Sequence, residues 1–220
     1  MIKFIALIPA RIGSTRIKKK NIKLLKGKPL IYYTIKASLK SKFISRTIVL
    51  TDSKEIKKIS KKYQAEVPFL RPKNISKKNT LMTTTVKFAI KKLNLKEKKS
   101  KTFIVLLPPT SPLRQAKDID NACRIIKKNK RADCLVSTFR VYENYHPSKI
   151  MQTSGKYLKR LNYQKKLQYY MRNGPAILIT KLSKVNKYLL GGKILNFEMP
   201  ESRSIDINNL KDFNEVKKLI

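Results

Sequence analysis

A cationic loop follows the first apolar run of the chain and carries residue types that bind phosphate. Gly13 and Ser14 suit a turn whose backbone N–H groups point towards an anion. Three cations flank this turn: Arg11, Arg16 and Lys20. Arginine matches phosphate oxygens well because a guanidinium donates two parallel hydrogen bonds. The loop therefore predicts phosphate binding, with Asn21 placed to contact a base or a ribose. A basic surface loop is the alternative, since no Walker or dinucleotide fingerprint is present.

A second polar loop, containing Thr110 and Ser111, follows the apolar run 102–107. Prolines at positions 109 and 112 make it rigid. Ligands of doubly wound sheets bind beyond the carboxyl ends of the strands. We therefore expect Thr110 and Ser111 to contact a substrate, and a plain structural turn is the alternative.

Short apolar runs alternate with amphipathic stretches along the chain. Four runs are too short for helices and are predicted to be buried strands: 2–9, 47–50, 102–107 and 134–138. Segments 30–39 and 118–128 have helical spacing. Asp52 and Glu55 predict a capping box at the start of a further helix that follows the strand 47–50. This alternation predicts an α/β fold with a doubly wound, mainly parallel sheet, in a single domain that spans residues 1–220.

Segment 142–172 interrupts the alternation and is predicted to be an inserted arm or hairpin. It is rich in tyrosine and polar residues, with a turn signal at Ser154-Gly155. Exposed tyrosines often lie at interfaces between subunits. The arm is therefore a candidate interface between subunits, and a surface loop without a partner is the alternative.

The charge balance is strongly positive, with 52 Lys+Arg against 13 Asp+Glu and a formal net charge of +39. Such a charge attracts polyanions. The lysines are scattered over every predicted helix, and the sequence has no zinc-finger spacing or aromatic RNA-binding signature. Compositional bias is therefore favoured over nucleic-acid binding, with attraction of anionic substrates as a third interpretation.

Cysteine usage and hydropathy predict a cytoplasmic protein without a membrane partner. Cys123 and Cys134 lack metal-ligand spacing and are expected to be buried thiols in a reducing compartment. No apolar run approaches the roughly 20 residues of a membrane span, and the N-terminal residues do not follow a secretory signal pattern. The single histidine, His146, excludes a zinc site built on histidines.

The cationic loop and six later segments, in order along nearly the whole chain, resemble the acylneuraminate cytidylyltransferase family. The loop is close to that family's usual start, IPARGGSKRIPRKN. The later segments are GKPL at 27–30, TD at 51–52, VPFLRP at 67–72, PTSPLR at 109–114, RNG at 172–174 and MPESRSIDIN at 199–208. Each segment alone is a modest signal, and their common order makes the resemblance strong.

This resemblance implies a fold of the nucleotide-diphospho-sugar transferase type, usually homodimeric, and a reaction. The anomeric hydroxyl of an acidic nine-carbon sugar attacks the α-phosphate of CTP, and pyrophosphate leaves. By the resemblance, Arg11 and Lys20 hold the triphosphate and act in catalysis, Ser14 lies in the phosphate loop, and Asn21 and Arg71 contact the nucleotide. Without the resemblance, Arg71 is equally well interpreted as a surface cation before a proline.

The resemblance also implies a catalytic role for Asp206 as a Mg²⁺ ligand, since the family has the first of two metal-binding carboxylates there. Position 208 is Asn, whose amide oxygen can ligate Mg²⁺ but brings no charge. Residues two apart on an extended segment share a face. Asp206 and Asn208 are therefore the predicted metal ligands, and a helix-capping pair before the last helix is the alternative.

Candidates for the sugar pocket lie in the arm and just after it: Lys149, Gln164, Arg172 and Asn173. A carboxylated sugar needs a cation, which Lys149 or Arg172 can supply. The sugar itself stays open, because Pro108 stands where the family has a glutamine that contacts it. The alternatives are an enzyme for legionaminate, pseudaminate or 3-deoxy-octulosonate, or a divergent, less active paralogue that acts as a basic binding protein.

Overall fold

The fold of the described residues, 2–96 and 101–220 of this computed structural model, alternates strands and helices. The strands are β1 (Lys3–Pro9), β2 (Leu24–Leu25), β3 (Lys28–Pro29), β4 (Ile44–Leu50), β5 (Thr102–Leu106), β6 (Cys134–Arg140), β7 (Met151–Ser154), β8 (Tyr157–Arg160), β9 (Tyr170–Arg172), β10 (Leu178–Lys181) and β11 (Ile194–Glu198). The α-helices are α1 (Leu30–Leu39), α2 (Lys54–Lys62), α3 (Met82–Lys92), α4 (Ala116–Lys128) and α5 (Leu210–Leu219). Short 3₁₀ turns connect several of these elements.

Seven strands form the main sheet in the order β11-β6-β10-β5-β1-β4, with β9 also paired to β6. β1 is parallel to β4 and β5, and β11 is parallel to β6. β10 is antiparallel to its neighbours β5 and β6, and β9 is antiparallel to β6. Five strands of the seven thus run one way, while β9 and β10 run the other. The predicted α/β fold with a mainly parallel sheet is confirmed, with two antiparallel strands that the sequence pattern did not reveal.

Helices cover both faces of this sheet, and β1 shows how the sequence builds the two layers. Phe4, Ala6 and Ile8 point into a core shared with α1, α2 and α4. Ile5 and Leu7 point into a second core, shared with α3 and the segment between β10 and β11. A strand buried on both faces must be apolar at successive positions, which explains the continuous apolar run at the start of the chain.

The start of α2 differs from the predicted one. Ser53 caps the helix, because its Oγ accepts a hydrogen bond from the backbone N–H of Ile56 at 3.3 Å. The prediction that Asp52 is the capping residue is therefore wrong by one position. Asp52 Oδ1 instead accepts a hydrogen bond from the backbone N–H of Ile12 at 2.9 Å. This bond ties the cationic loop to the end of β4.

The predicted arm contains a hairpin separate from the main sheet. β7 and β8 pair antiparallel, and Gly155 adopts a φ of +62° in the turn between them. This turn lies where Ser154-Gly155 predicted one. β9 then returns the chain to β6. The role of this arm between subunits stays a prediction.

The two cysteines are buried free thiols, Cys123 in α4 and Cys134 in β6, as predicted. Burial raises the pKa of the Cys123 thiol, so it stays protonated at neutral pH. Among the helices of residues 2–96 and 101–220, none combines the length and apolar character needed to cross a membrane.

Candidate active site

A cavity of about 370 Å³ lies beyond the carboxyl end of β1. Pro9, the last residue of β1, lines it on one side, and the loop of Pro108, Pro109 and Thr110 after β5 lines it on the other. β1 lies between β4 and β5 in the sheet. The chain passes from β1 to β4 on one side and then crosses to β5 on the other side, so the strand order reverses at β1. Crevices at such switch points are where open α/β sheets bind ligands.

Six cationic side chains line this cavity, and no acidic side chain of residues 2–96 and 101–220 does so. They are Arg11, Arg16, Lys20, Arg71, Lys77 and Lys78. None of the six takes part in the ion pairs of the described chain. Positive charge concentrated in a concave site attracts anions strongly. The cavity is therefore suited to a polyanionic ligand.

Lys20 links the cationic loop to the segment that carries Asp206. It begins a 3₁₀ turn, and its Nζ donates a hydrogen bond to the carbonyl oxygen of Ile207 at 2.6 Å. Burial lowers the pKa of Lys20, an effect that the charge of Asp206 opposes and that of Arg16 reinforces. A partly desolvated ammonium gains more from a phosphate oxygen than one in open water.

Two further predicted nucleotide contacts, Asn21 and Arg71, are largely buried at the cavity wall. Asn21 Nδ2 donates to the carbonyl oxygen of Arg11 at 2.8 Å, which holds the loop backbone. Arg71 Nη2 donates to the carbonyl oxygen of Ile75 at 2.6 Å, while its buried Nε has no partner. Burial lowers the pKa of Arg71, and the charge of Asp52 opposes this. Arg71 thus lines the cavity with one guanidinium N–H, on Nε, buried and without a partner.

Asp206 and Asn208 lie together, as predicted. Asn208 Nδ2 donates to Asp206 Oδ2 at 3.0 Å, and Asn208 Oδ1 accepts from Arg16 Nη1 at 3.2 Å. Asn208 lines the cavity, whereas Asp206 Oδ1 is buried without a hydrogen-bond partner. Gly174 explains how this carboxylate fits: its φ is +106°, and a Cβ there would lie 2.9 Å from Asp206 Cγ and Oδ1. The helix-capping role belongs to Asn209, which caps α5.

The donor chemistry of this pair suits Mg²⁺. A carboxylate and an amide oxygen are hard ligands, and the partnerless Oδ1 of Asp206 is a position that a cation would satisfy. The described ranges contain no cluster of three or more His, Cys, Asp or Glu placed to hold a metal. An ion held by Asp206 and Asn208 would therefore need oxygens from a substrate as well.

The loop residues Gly13 and Ser14 differ in their position. Ser14 lines the cavity, while Gly13 is exposed and does not line it. Neither Gly13 nor Ile12 has a positive φ. The backbone therefore tolerates the isoleucine found where the resemblance would place a glycine.

Of the predicted sugar contacts that follow β5 and the arm, one lines the cavity and two are buried. Thr110 lines the cavity, but the hydroxyl of Ser111 is fully buried and without a partner. Asn173 is buried as well: its Oδ1 accepts from Ser137 Oγ at 2.7 Å, and its Nδ2 donates to Ser204 Oγ at 3.1 Å. In this chain Asn173 joins β6 to the segment before Asp206, and its contact with a sugar stays a prediction.

Three predicted sugar contacts lie on the arm and do not line the cavity: Lys149, Gln164 and Arg172. Lys149 Nζ lies 3.4 Å from Glu143 Oε1 in an exposed ion pair. The backbone N–H of Gln164 donates to the hydroxyl of Tyr169. Within one chain these residues are not brought to the cationic cavity, and their role stays a prediction.

Buried Arg114 joins the elements behind the cavity. Its Nη1 donates to the carbonyl oxygens of Ala176 at 2.6 Å and Pro108 at 3.3 Å, and its Nη2 donates to Thr34 Oγ1 at 2.7 Å. Burial lowers the pKa of Arg114 to about 9, so it remains charged at neutral pH. Arg114 thus ties the loop after β5 to the segment that follows Gly174.

Sequence reasoning missed the wall formed by residues 77–85. Lys77, Lys78, Thr80, Met82 and Thr85 all line the cavity. Two more lysines among 52 Lys+Arg give no signal by themselves. Only the path of the chain from Arg71 into α3 brings them to the cationic loop.

Comparison with known proteins gives three findings. The family model described as "Cytidylyltransferase" matches residues 5–217. The N-acylneuraminate cytidylyltransferase of Escherichia coli O18:K1:H7 (strain RS218 / NMEC) is 31% identical over 220 residues, which cover 96% of this chain and 50% of that protein. The CMP-N,N'-diacetyllegionaminic acid synthase of Legionella pneumophila subsp. pneumophila (strain Philadelphia 1 / ATCC 33152 / DSM 7513) is 38% identical over 138 residues, covering 61% of this chain and 58% of that protein. The chain thus spans about half the length of these relatives.

Among solved structures, a CMP:2-keto-3-deoxy-manno-octonic acid synthetase complexed with CTP superposes with a TM-score of 0.73 at 15% identity. The superposition covers 99% of this chain and 98% of that one. At this identity the likeness concerns the fold alone. It confirms the α/β fold of the nucleotide-sugar transferase type that the sequence motifs implied.

Proposed function

Since the chain belongs to the cytidylyltransferase family, we propose that it transfers CMP from CTP to an acidic sugar and releases pyrophosphate. The observation that carries this proposal is the cavity beyond β1, lined by six cations and no acid of the described residues. Both substrates are anions, a triphosphate and a sugar carboxylate. A concave site lined by cations is suited to such a pair.

The proposed step is an in-line displacement at the α-phosphorus. The anomeric hydroxyl of the sugar loses its proton to solvent as its oxygen forms the new bond to the α-phosphorus. The bond from that phosphorus to the α,β-bridging oxygen breaks, and its electron pair leaves with pyrophosphate. Arg11 and Lys20 hold the triphosphate, and Lys20 exchanges its bond to the carbonyl oxygen of Ile207 for a phosphate oxygen. Their contribution is positioning and charge neutralisation in a partly dry site.

Asp206 and Asn208 are the residues that would hold Mg²⁺. When bound, the ion supplies Lewis-acid stabilisation of the phosphate charge. The chain contributes a carboxylate whose Oδ2 accepts a hydrogen bond from the amide of Asn208 and whose Oδ1 has no hydrogen-bond partner. The absent side chain at Gly174 leaves room for this arrangement.

For the acceptor, we propose an acidic nine-carbon sugar. The two relatives are named for N-acylneuraminate and for N,N'-diacetyllegionaminic acid. An eight-carbon acceptor is the second candidate, because the solved structure that shares the fold is named for an octonic acid. Thr110 is the proposed contact with the sugar within the cavity. The other proposed contacts, Lys149, Gln164 and Arg172, lie on the arm 142–172 and would have to reach the sugar from there.

The test is release of pyrophosphate from CTP with a panel of acidic sugars. Lys20→Met should lower kcat/KM by about 100-fold or more. Lys18→Met, the exposed neighbour that does not line the cavity, should stay within about threefold. Absence of release with every sugar, combined with salt-sensitive RNA binding, would instead favour a basic binding protein.

We also propose a homodimer joined through the arm. Four apolar or aromatic side chains there are more than half exposed in the single chain: Tyr145, Tyr157, Leu158 and Leu167. Exposed apolar and aromatic side chains concentrated on one segment suit an interface between subunits. Sedimentation of the full chain should give a dimer, and Tyr157→Lys with Leu158→Lys should give a monomer. A monomeric unmodified chain at assay concentration would contradict the proposal.

A cytoplasmic location is proposed because Cys123 and Cys134 are both free. Unpaired buried thiols suit a reducing compartment. Fractionation of cells that express the tagged protein tests this, and recovery outside the cytoplasm would contradict it.

A further inference from the structure

The charge around the active-site cavity is one-sided. Six cationic side chains line it, and the described residues contribute no acidic one. A triphosphate carries about one negative charge on each inner phosphate and about two on the terminal one. The cations of the chain therefore match or exceed the charge of the free nucleotide before any divalent ion is counted.

Lys77 and Lys78 are two of the lining cations to which the proposed mechanism gives no role. They lie between the 3₁₀ turn Lys73–Ile75 and α3, and both side chains are exposed. In the described chain neither side chain has an ion-pair partner. Arg71 fixes the segment by donating to the carbonyl oxygen of Ile75, and the N–H of Thr80 closes a turn on the carbonyl oxygen of Lys77 at 3.2 Å. Two free ammonium groups are thus presented on an anchored wall.

We propose that the chain binds CTP as the metal-free anion, with Lys77 and Lys78 among the cations that neutralise its triphosphate. The inference rests on the proposed function, since it takes CTP as the substrate. A divalent ion on the triphosphate would cancel about two of the charges that these cations meet, so it should not tighten binding. The Asp206–Asn208 pair, with one carboxylate, then serves the chemical step after the nucleotide is bound.

Titration calorimetry of the full chain with CTP tests this, once in excess chelator and once in saturating Mg²⁺. We expect binding in chelator, with a Kd that Mg²⁺ leaves within about threefold or raises. A Kd that falls by more than about threefold on adding Mg²⁺ would overturn the inference. No CTP binding in either condition would contradict the proposed function itself, whereas binding only with Mg²⁺ would contradict this inference alone.

Two double variants that remove the same charge test whether Lys77 and Lys78 contribute to CTP affinity. Lys77→Gln with Lys78→Gln should raise the Kd for CTP in chelator by about fivefold or more and flatten its salt dependence. Lys61→Gln with Lys62→Gln removes the same charge from exposed positions of α2 outside the cavity and should change the Kd by less than about twofold. Equal Kd values for the two variants would overturn the role of Lys77 and Lys78. Circular dichroism confirms that both remain folded.

Discussion

Gly174→Ala is the most informative perturbation of the site, because it displaces the Asp206 carboxylate without replacing any charged group. A Cβ at position 174 would lie 2.9 Å from Cγ and Oδ1 of Asp206, closer than nonbonded contact permits. The φ of +106° at this position is also one that residues with a side chain rarely adopt. The substitution therefore strains the backbone and displaces the carboxylate.

Two costs are expected, and they are measured separately. The backbone strain is worth ~1–3 kcal/mol of unfolding free energy, and displacing the carboxylate adds to it. Domains of this kind have ~5–15 kcal/mol of stability, so the variant should still fold. A shift of about 1 Å in a positioned group costs about 100-fold in rate. We therefore expect kcat for pyrophosphate release to fall by about this factor.

Gly27→Ala is the matched control. Gly27 has a φ of +75°, but a Cβ there would meet no heavy atom within 4 Å. This variant should lose ~1–2 kcal/mol in urea unfolding and keep its kcat. The double variant Gly174→Ala with Asp206→Asn should be no slower than Asp206→Asn alone, since both changes act on one group. The reasoning is refuted if Gly174→Ala keeps its kcat within about threefold of the unmodified chain.

Three further outcomes are expected. Asn208→Asp should lower the Mg²⁺ concentration for half-maximal pyrophosphate release by about tenfold, because a charged carboxylate replaces a neutral amide. An unchanged Mg²⁺ dependence would show that residue 208 is not a ligand. Burial lowers the pKa of Lys20 below its ordinary 10.5, so its charge, present at low pH, is lost earlier as pH rises. CTP affinity measured by calorimetry should therefore fall as pH rises into the alkaline range, and Lys20→Arg should move this fall to higher pH. A fall that stays at the same pH in Lys20→Arg would show that another group controls it. Arg203 donates to both carboxylate oxygens of buried Asp118, at 2.7 and 3.0 Å. Arg203→Met should cost ~2–4 kcal/mol in urea unfolding, because it removes the ion-pair partner of a buried carboxylate, and an unshifted midpoint would argue against this.

Strands of the sheet could be predicted from the sequence where a short run of consecutive apolar residues marks them. The run at the start of the chain is apolar at consecutive positions because β1 is buried on both faces, and this can be seen without a structure. The direction of β10 was not predictable, because a short apolar strand has the same composition whichever way it runs. Its direction follows from the path of the chain between β9 and β11.

Some residues of the site could likewise be predicted from the sequence, and others could not. Arg11, Lys20 and Asn21 belong to one loop, and a contiguous motif reports them directly. Lys77 and Lys78 carry no such motif, since the chain is rich in lysine throughout. Their place in the cavity depends on contacts between residues far apart in sequence.

The amino-acid sequence by itself determined the α/β class, the cationic loop after the first strand and the order of the family motifs, because each depends on residues close together in the chain. Only the tertiary structure decided that the cavity has no acid among its described lining residues, that Asp52 holds the loop instead of capping α2, and that Gly174 makes room for Asp206. These features arise where segments remote in sequence meet. Their distances and burial are set by the packing of the whole sheet and its helices.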